Sequence, residues 1–355
     1  MRITSGKAAL SSLLSGVPIR SARSLDWTTF LKLSRHSALS PALYLATKNS
    51  HEVRLPDEIA SSLKSDYMAS AFSNAIKLEE FGGIAPALAK EDIDVILLKG
   101  IYLLHTVFRG REGARPIGDI DLLIRKECMT EAGRCLESLG YARLQAGRNS
   151  RTTAMYVKKH DTGIVFSIHL HEHIVSLSRL FLNVGWQAVD IDEIWRHAVF
   201  QVRDAKETNL YLMKDEHMLL SLCEHAFRHS FARMSLLYDI HVFFNSVWGR
   251  LDREAFIDAA RRWSLDGPAY QALYLARTFF GTGVDDALFR ALRPRGFGAL
   301  ERYVIGRIAR NDFPEERECF MLYFMKNKTI SDKARFMLAC LRARFGNAAA
   351  AEGCA

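Results

Sequence analysis

The sequence is poor in the features that anchor a chain in a bilayer or staple it outside the cell. Its 355 residues contain no run of about 18 uninterrupted apolar residues, so a membrane-spanning helix is not expected. The six cysteines (Cys128, Cys135, Cys223, Cys319, Cys340 and Cys354) form no CxxC pair and no regular framework. Reduced thiols in a cytoplasmic setting fit that pattern better than a disulfide scaffold. No cysteine–histidine spacing matches a usual zinc site. Internal repeats and long low-complexity tracts are missing too. Residues 1–25 carry Arg2, Lys7, Arg20 and Arg23 with no acid before Asp26. That composition resembles a transit peptide but lacks the apolar core of a secretory signal, and the expectation is a disordered or weakly helical lead-in.

What is present reads as an ordinary globular chain, 49% apolar and 25% charged, long enough for two or three compact units. The net charge of +8 suits anionic partners but is spread thinly. Its densest stretch, Lys326, Lys328, Lys333, Arg335, Arg342 and Arg344 against Asp332 alone, reads as the solvated face of a last helix. Aromatic and basic residues do not interleave as they do in single-strand binders, so nucleic acid is not the expected partner.

Periodicity divides the chain. Trp27, Phe30, Leu31 and Leu33, then Ala38, Leu39, Ala42, Leu43 and Leu45, have the spacing of an apolar helix face. Pro56-Asp57 starts a longer helix to about residue 90, with Phe72, Ala75, Ile76 and Leu78 expected inward. Ile93 and Val95–Leu98 form a short apolar run with the texture of a buried strand, ending at Lys99-Gly100. A glycine-rich loop follows, then a strand at 120–124 interrupted by acids, a helix near 128–139 with Gly140 in a C-cap position, and strands near 152–159 and 163–171 joined by a turn at Asp161–Gly163. From about residue 210 the texture is helical. The implied class is α+β: a small mixed-sheet core over 91–200, preceded by a helical segment, 1–90, and followed by a helical bundle, 201–355.

The chemistry gathers around Arg115-Pro116-Ile117-Gly118-Asp119-Ile120-Asp121-Leu122-Leu123. Residues i and i+2 of a strand share a face, so Asp119 and Asp121 point the same way. Like charges held so close repel unless a cation sits with them. A hard divalent ion such as Mg²⁺, with Mn²⁺ as a substitute, meets that need and fills its other positions with water and phosphate oxygens. Lys99 and Gly100 open a helix, where free amides and a glycine backbone admit a phosphate. Arg115 can clamp another, and Gly118 lies in the same loop.

The Leu-Leu-Lys-Gly strand end followed by Arg-Pro-x-x-Asp-x-Asp-Leu-Leu resembles the polymerase-β-like nucleotidyltransferase superfamily. Within it, the chain is most similar to a bacterial branch described as uncharacterised nucleotidyltransferases. The likeness runs from about Asp26 to about Phe244 and includes Leu222-Cys223-Glu224-His225 and Leu237-Tyr238-Asp239. It implies Mg²⁺-dependent transfer of a nucleoside monophosphate from a nucleoside triphosphate to a small-molecule, peptide or protein acceptor. Asp119 and Asp121 would hold the metal, and Lys99, Gly100, Arg115, Gly118 and Ser167 would bind the nucleotide. His225 and Asp239 are expected beside the nucleotide cleft or bonded to each other, with Arg228 and Arg233 as further triphosphate contacts.

The resemblance also implies a third carboxylate, two residues before a strand histidine. This chain reads Ser167-Ile168-His169-Leu170-His171-Glu172-His173. In one register Ser167 takes the acid's place, in the other His169. A histidine can act as general base near pH 7, which makes His169 the candidate. Three histidines at two-residue steps can also bind a transition metal. The missing acid leaves a second reading open, a degenerate protein that binds nucleotide without turnover.

Overall fold

The computed structural model describes residues 5–15, 25–50, 55–144, 153–175, 188–201, 208–294, 298–310, 320–322, 324, 325 and 330–338. The basic positions Lys326, Lys328, Arg342 and Arg344, and Cys319, Cys340 and Cys354, lie outside them.

Helices open the chain. α1 (Ser5–Leu14) packs against α2 (Trp27–His36), α3 (Ser40–Thr47) and a much later helix. The lead-in expected to be disordered or weakly helical is thus a packed helix over residues 5–14. Leu10 and Leu13 are fully buried, worth about 1.5–3 kcal/mol each, and Lys7 Nζ donates to the carbonyl of Ile308, 301 positions away. Partners so distant leave no local signal. The apolar face over 27–45 is split in two, because Ala38 adopts a left-handed backbone (φ 53°) between α2 and α3.

α4 runs from Asp57 to Lys90, with acids in its first turn and Pro56 before it. The inward face differs from expectation. Phe72 and Ala75 are exposed and Ile76 and Leu78 half-buried, while Ser70, Asn74 and Lys77 are buried with Phe81, Ile84 and Leu88. The middle of α4 faces a loop rather than a helix, and a loop offers carbonyls that need donors. Asn74 Nδ2 donates to the carbonyls of Glu112 and Arg115 at 2.7 and 2.8 Å, and its Oδ1 accepts from Ile117 N at 3.2 Å. Lys77 Nζ donates to the Ile117 carbonyl at 2.5 Å.

The sheet is mixed and seven-stranded, in the order β3-β4-β5-β2-β1-β7-β6. β1 (Val95–Leu98) and β2 (Ile120–Leu123) pair antiparallel near its middle, and every residue of both is buried. α5 (Lys99–His105) follows β1, and α6 (Met129–Ser138) follows β2. Gly140, at φ 85°, sits in the left-handed position that ends α6. β3 (Ala142–Leu144) is an edge strand, and β4 (Thr153–Lys159) and β5 (Val165–His171) form the expected hairpin. β5 runs parallel to β2, with Ile120 opposite Ile168 and Asp121 opposite His169.

After α7 (Ile191–Arg196) the sheet gains β6 (Val199–Phe200), at the end of the expected core, and β7 (Leu210–Leu212), where helical texture is expected. β7 pairs parallel with β1. Helices α8 (Asp215–Arg228), α9 (Met234–Val247), α10 (Arg253–Arg262), α11 (Asp266–Phe280), α12 (Asp286–Leu292) and α13 (Ala299–Arg310) follow, and the described residues beyond Arg310 are helical as well. α8, α9 and α11 pack on one another, and one apolar core joins them to the sheet and the first helices.

Candidate active site

Asp121 is an aspartate in a strand whose other members are Ile and Leu, and it is almost fully buried. Two neighbours make that tolerable. Lys99 Nζ donates to Asp121 Oδ1 at 2.5 Å, and His171 Nε2 lies 2.7 Å from the same oxygen. Burial alone would raise this carboxyl, but the Lys99 charge and the His171 hydrogen bond hold it well below the usual carboxylate range. Lys99 reaches Asp121 from a left-handed backbone, φ 49°, at the first position of α5. A non-glycine residue there costs on the order of 1–3 kcal/mol, which the surrounding contacts must offset.

Asp119 stands just before β2 with 43% of its side chain exposed. Surrounding protein, and next the Asp121 charge, push its carboxyl above the usual range. His169, across the β2–β5 pairing, places Nδ1 3.4 Å from Asp119 Oδ2 and 3.7 Å from Asp121 Oδ1. On its other side, Nε2 is 3.3 Å from Ser167 Oγ. Asp121, His169 and His171 bring potential metal-binding atoms within 4.8 Å of one another. Burial, and then Lys99, push His171 down to about 4, so it is a neutral imidazole at pH 7.

Asp119 opens on a cleft of about 510 Å³, within the range of small-ligand sites. Arg115, Pro116, Gly118, Asp119 and Ser167 line one wall, and His225, His229, Ala232, Arg233, Ser235 and Leu236 the other. A second cavity, about 320 Å³ beside Glu80, Lys158 and His160, contains none of the expected residues.

The sequence-derived set is therefore largely assembled. Lys99, Asp119, Asp121, Ser167 and His169 come together, with Arg115 and Gly118 beside them. Several roles differ in detail. A Cβ on Gly100 would meet Ile117 Cγ2 at 2.7 Å and Arg115 Nη1 at 3.1 Å, so this glycine lets α5 pack against the loop. At Gly118 a Cβ would meet nothing within 4 Å. Asp239 does not bond His225. It accepts from Arg115 Nε and Nη2, and Arg115 Nη1 donates to the Pro116 carbonyl. Arg233 lines the cleft, whereas Arg228 lies 3.7 Å from Glu224. His173 stays outside the cluster, its Nδ1 accepting from Val175 N. Asn74 and Lys77 were missed, since nothing in a helix sequence says that a polar pair will brace a loop 40 residues on.

Asp119, the more accessible of the two carboxylates, is the one whose charge is disfavoured. A family model described as "Uncharacterised nucleotidyltransferase" matches residues 23–281, a span holding every residue of the cleft and ending where α11 ends. No curated protein and no solved structure matches the chain.

Proposed function

The chain belongs to the uncharacterised nucleotidyltransferase family, and from that premise we propose that it transfers a nucleoside monophosphate from a nucleoside triphosphate to a hydroxyl-bearing acceptor, releasing pyrophosphate. The observation that carries this reading is the convergence of Asp119, Asp121 and His169, with Asp119 itself in the wall of the cleft.

The donor set fits a divalent cation, Mg²⁺ or Mn²⁺. A cation offsets the burial, and next the Asp121 charge, that raise the Asp119 carboxyl, and oxygen donors suit hard ions. Asp119 and Asp121 would hold it, and when bound it would offset charge on the phosphate oxygens. The remaining work falls to the chain itself. Lys99 and His171 fix the Asp121 carboxylate. Arg115, locked by Asp239, shapes the loop that presents Asp119. Gly118 and Ser167 leave room for the nucleotide, and Arg233 supplies positive charge on the facing wall. Transfer of this kind depends mainly on positioning and electrostatics.

Of the two registers open in the sequence, the contacts favour the second. His171 is the strand histidine bonded to Asp121, and His169 takes the place of the third acid, beside both aspartates.

Calorimetry with each of the four nucleoside triphosphates, with and without Mg²⁺, tests the proposal. Binding that requires Mg²⁺ and is lost in Asp119→Asn/Asp121→Asn supports it. A folded wild-type protein that binds none of the four sinks it. The second reading, nucleotide binding without turnover, draws on the fact that Asp121 Oδ1 already carries two donors. Pyrophosphate release in the presence of a suitable acceptor would eliminate that reading.

A further inference from the structure

We propose that the chain carries a second ligand site, for a small aromatic carboxylate, in the cavity where α1, α3, α4 and α9 meet the loop before β2, and that this site is coupled to the nucleotide cleft. The site itself stands apart from the nucleotidyltransferase reading, and only its coupling rests on that reading.

The cavity holds about 420 Å³, within the range of small-ligand sites. Small residues leave the space: Ala42 and Ala46 on α3, and Gly110 and Ala114 in the loop. Tyr67, Phe108 and Tyr238 give it aromatic walls. A flat ring meets such walls in the stacked and edge-on arrangements that aromatic groups prefer.

Charge selects the other end of the ligand. The charged residues in the lining are Lys48 and Arg111, both cations and both exposed. Lys48 Nζ lies over the Tyr44 ring at 5.8 Å, and Arg111 Nη2 donates to the Val107 carbonyl at 3.1 Å. Among the described residues neither has a carboxylate partner. The Arg111 guanidinium thus keeps donors for a planar carboxylate, which it can hold as a fork. The hydroxyls of Tyr67 and Tyr238 also lack a hydrogen-bond partner among the described residues. Burial holds the Tyr238 phenol above its usual range, so it stays a donor, and the Arg111 charge is felt there. A wholly apolar ligand would leave these donors unused, and a bare inorganic anion would leave the aromatic walls unfilled.

The cavity also touches the machinery of the cleft. Ala114 precedes Arg115, and Tyr238 precedes Asp239, the two members of the fork that steadies the loop carrying Asp119. A ring packed between Ala114 and Tyr238 bears on both. It favours the loop arrangement that receives nucleotide, and by linkage nucleotide favours the carboxylate by the same factor.

Calorimetry on the full chain tests the site with naphthoate, with naphthalenemethanol as its uncharged analogue and octanoate as an acyl carboxylate. Naphthoate should bind about tenfold or more tighter than either, and weaken by about tenfold or more in Lys48→Met/Arg111→Met. Ala46→Trp, which puts an indole into the cavity, should abolish binding. All three positions are exposed, and a thermal melt shows that the variants fold. Arg233→Met, in the nucleotide cleft, should leave naphthoate binding unchanged. Saturating naphthoate should raise the affinity for Mg²⁺-ATP by about threefold or more in the wild type and not in Lys48→Met/Arg111→Met. No naphthoate binding, equal binding of the alcohol or of octanoate, or full binding by the double variant overturns the assignment. A loss in Arg233→Met alone puts the ligand in the cleft and overturns it too. Unchanged ATP affinity overturns the coupling and leaves the site. A wild type that binds naphthoate but no nucleoside triphosphate removes the coupling together with the nucleotidyltransferase reading, and the site stands.

Discussion

Asp239 on α9 accepts from both arms of the Arg115 guanidinium, Nε at 3.1 Å and Nη2 at 2.6 Å. This fork ties the helical half to the loop that delivers Asp119 and Asp121, across 124 positions of sequence. Its geometry is the bidentate form in which arginine and carboxylate pair best. Both side chains are largely buried, so removing one strands the other. Asp239→Ala should cost roughly 3–5 kcal/mol. The Arg115→Ala/Asp239→Ala double variant should lose clearly less than the sum of the singles. Urea unfolding of the four proteins measures the coupling, and additive losses would show the pair to be independent.

Asn74 and Lys77 make a second tie, from α4 to the same loop. Asn74→Ala leaves two carbonyls and one amide without their partner, and unmade buried hydrogen bonds cost about 1–3 kcal/mol each. Relaxation and water recover part of that, so a loss of about 2–4 kcal/mol is expected. Nucleotide affinity should fall as well, because the loop places Arg115, Gly118 and Asp119. Asn74→Asp, which keeps the acceptor for Ile117 N but turns a carboxylate oxygen towards two carbonyls in a buried site, should lose more than Asn74→Ala. A thermal melt and a nucleotide titration on each variant check the order.

These ties separate what was legible in the sequence from what was not. α4 could be read from Pro56-Asp57 and its length, and the β4–β5 hairpin from its alternation and the turn ending at Gly163. Asp119, Asp121 and His169 could be picked out because a strand puts alternate residues on one face, and β2–β5 pairing then set them together. β7 could not, since three residues paired parallel to a strand more than 100 positions earlier carry no periodicity. The burial of Asn74 and Lys77 ran against pattern for the same kind of reason. Amphipathicity reports which face is apolar, and here a polar face was buried because loop carbonyls met it.

Gly100→Ala sets two effects against each other. Alanine is the better helix former by about 1 kcal/mol. The added methyl would meet Ile117 Cγ2 at 2.7 Å, a distance that real Cβ atoms do not keep, and Arg115 at 3.1 Å. Both neighbours are held by hydrogen bonds, to Asn74 and to Asp239, so neither yields cheaply. The clash should win, with a net loss of about 1–3 kcal/mol. Chemical denaturation gives the sign, and a stabilised variant would mean that the loop moves aside freely.

Acid should weaken the fold earlier than its carboxylates alone would dictate. Burial pushes His173 and His217 from the usual 6.5 down to about 4; for His171, burial and then the Lys99 charge do the same. Each is neutral in the folded chain, whereas the unfolded chain takes up a proton below pH 6.5. Their contribution is therefore complete above that pH and is lost as pH falls from 6.5 towards 4, where the folded forms also protonate. A shift of this size is worth at most roughly 3 kcal/mol per histidine. His173 lies outside the carboxylate cluster, which makes it the clean probe. The urea midpoint of the wild type should fall steadily between pH 7 and 4.5. His173→Gln should fall less steeply, because glutamine takes up no proton, even if its stability at pH 7 is lower. Equal slopes would show that His173 already protonates in the folded chain near its ordinary value.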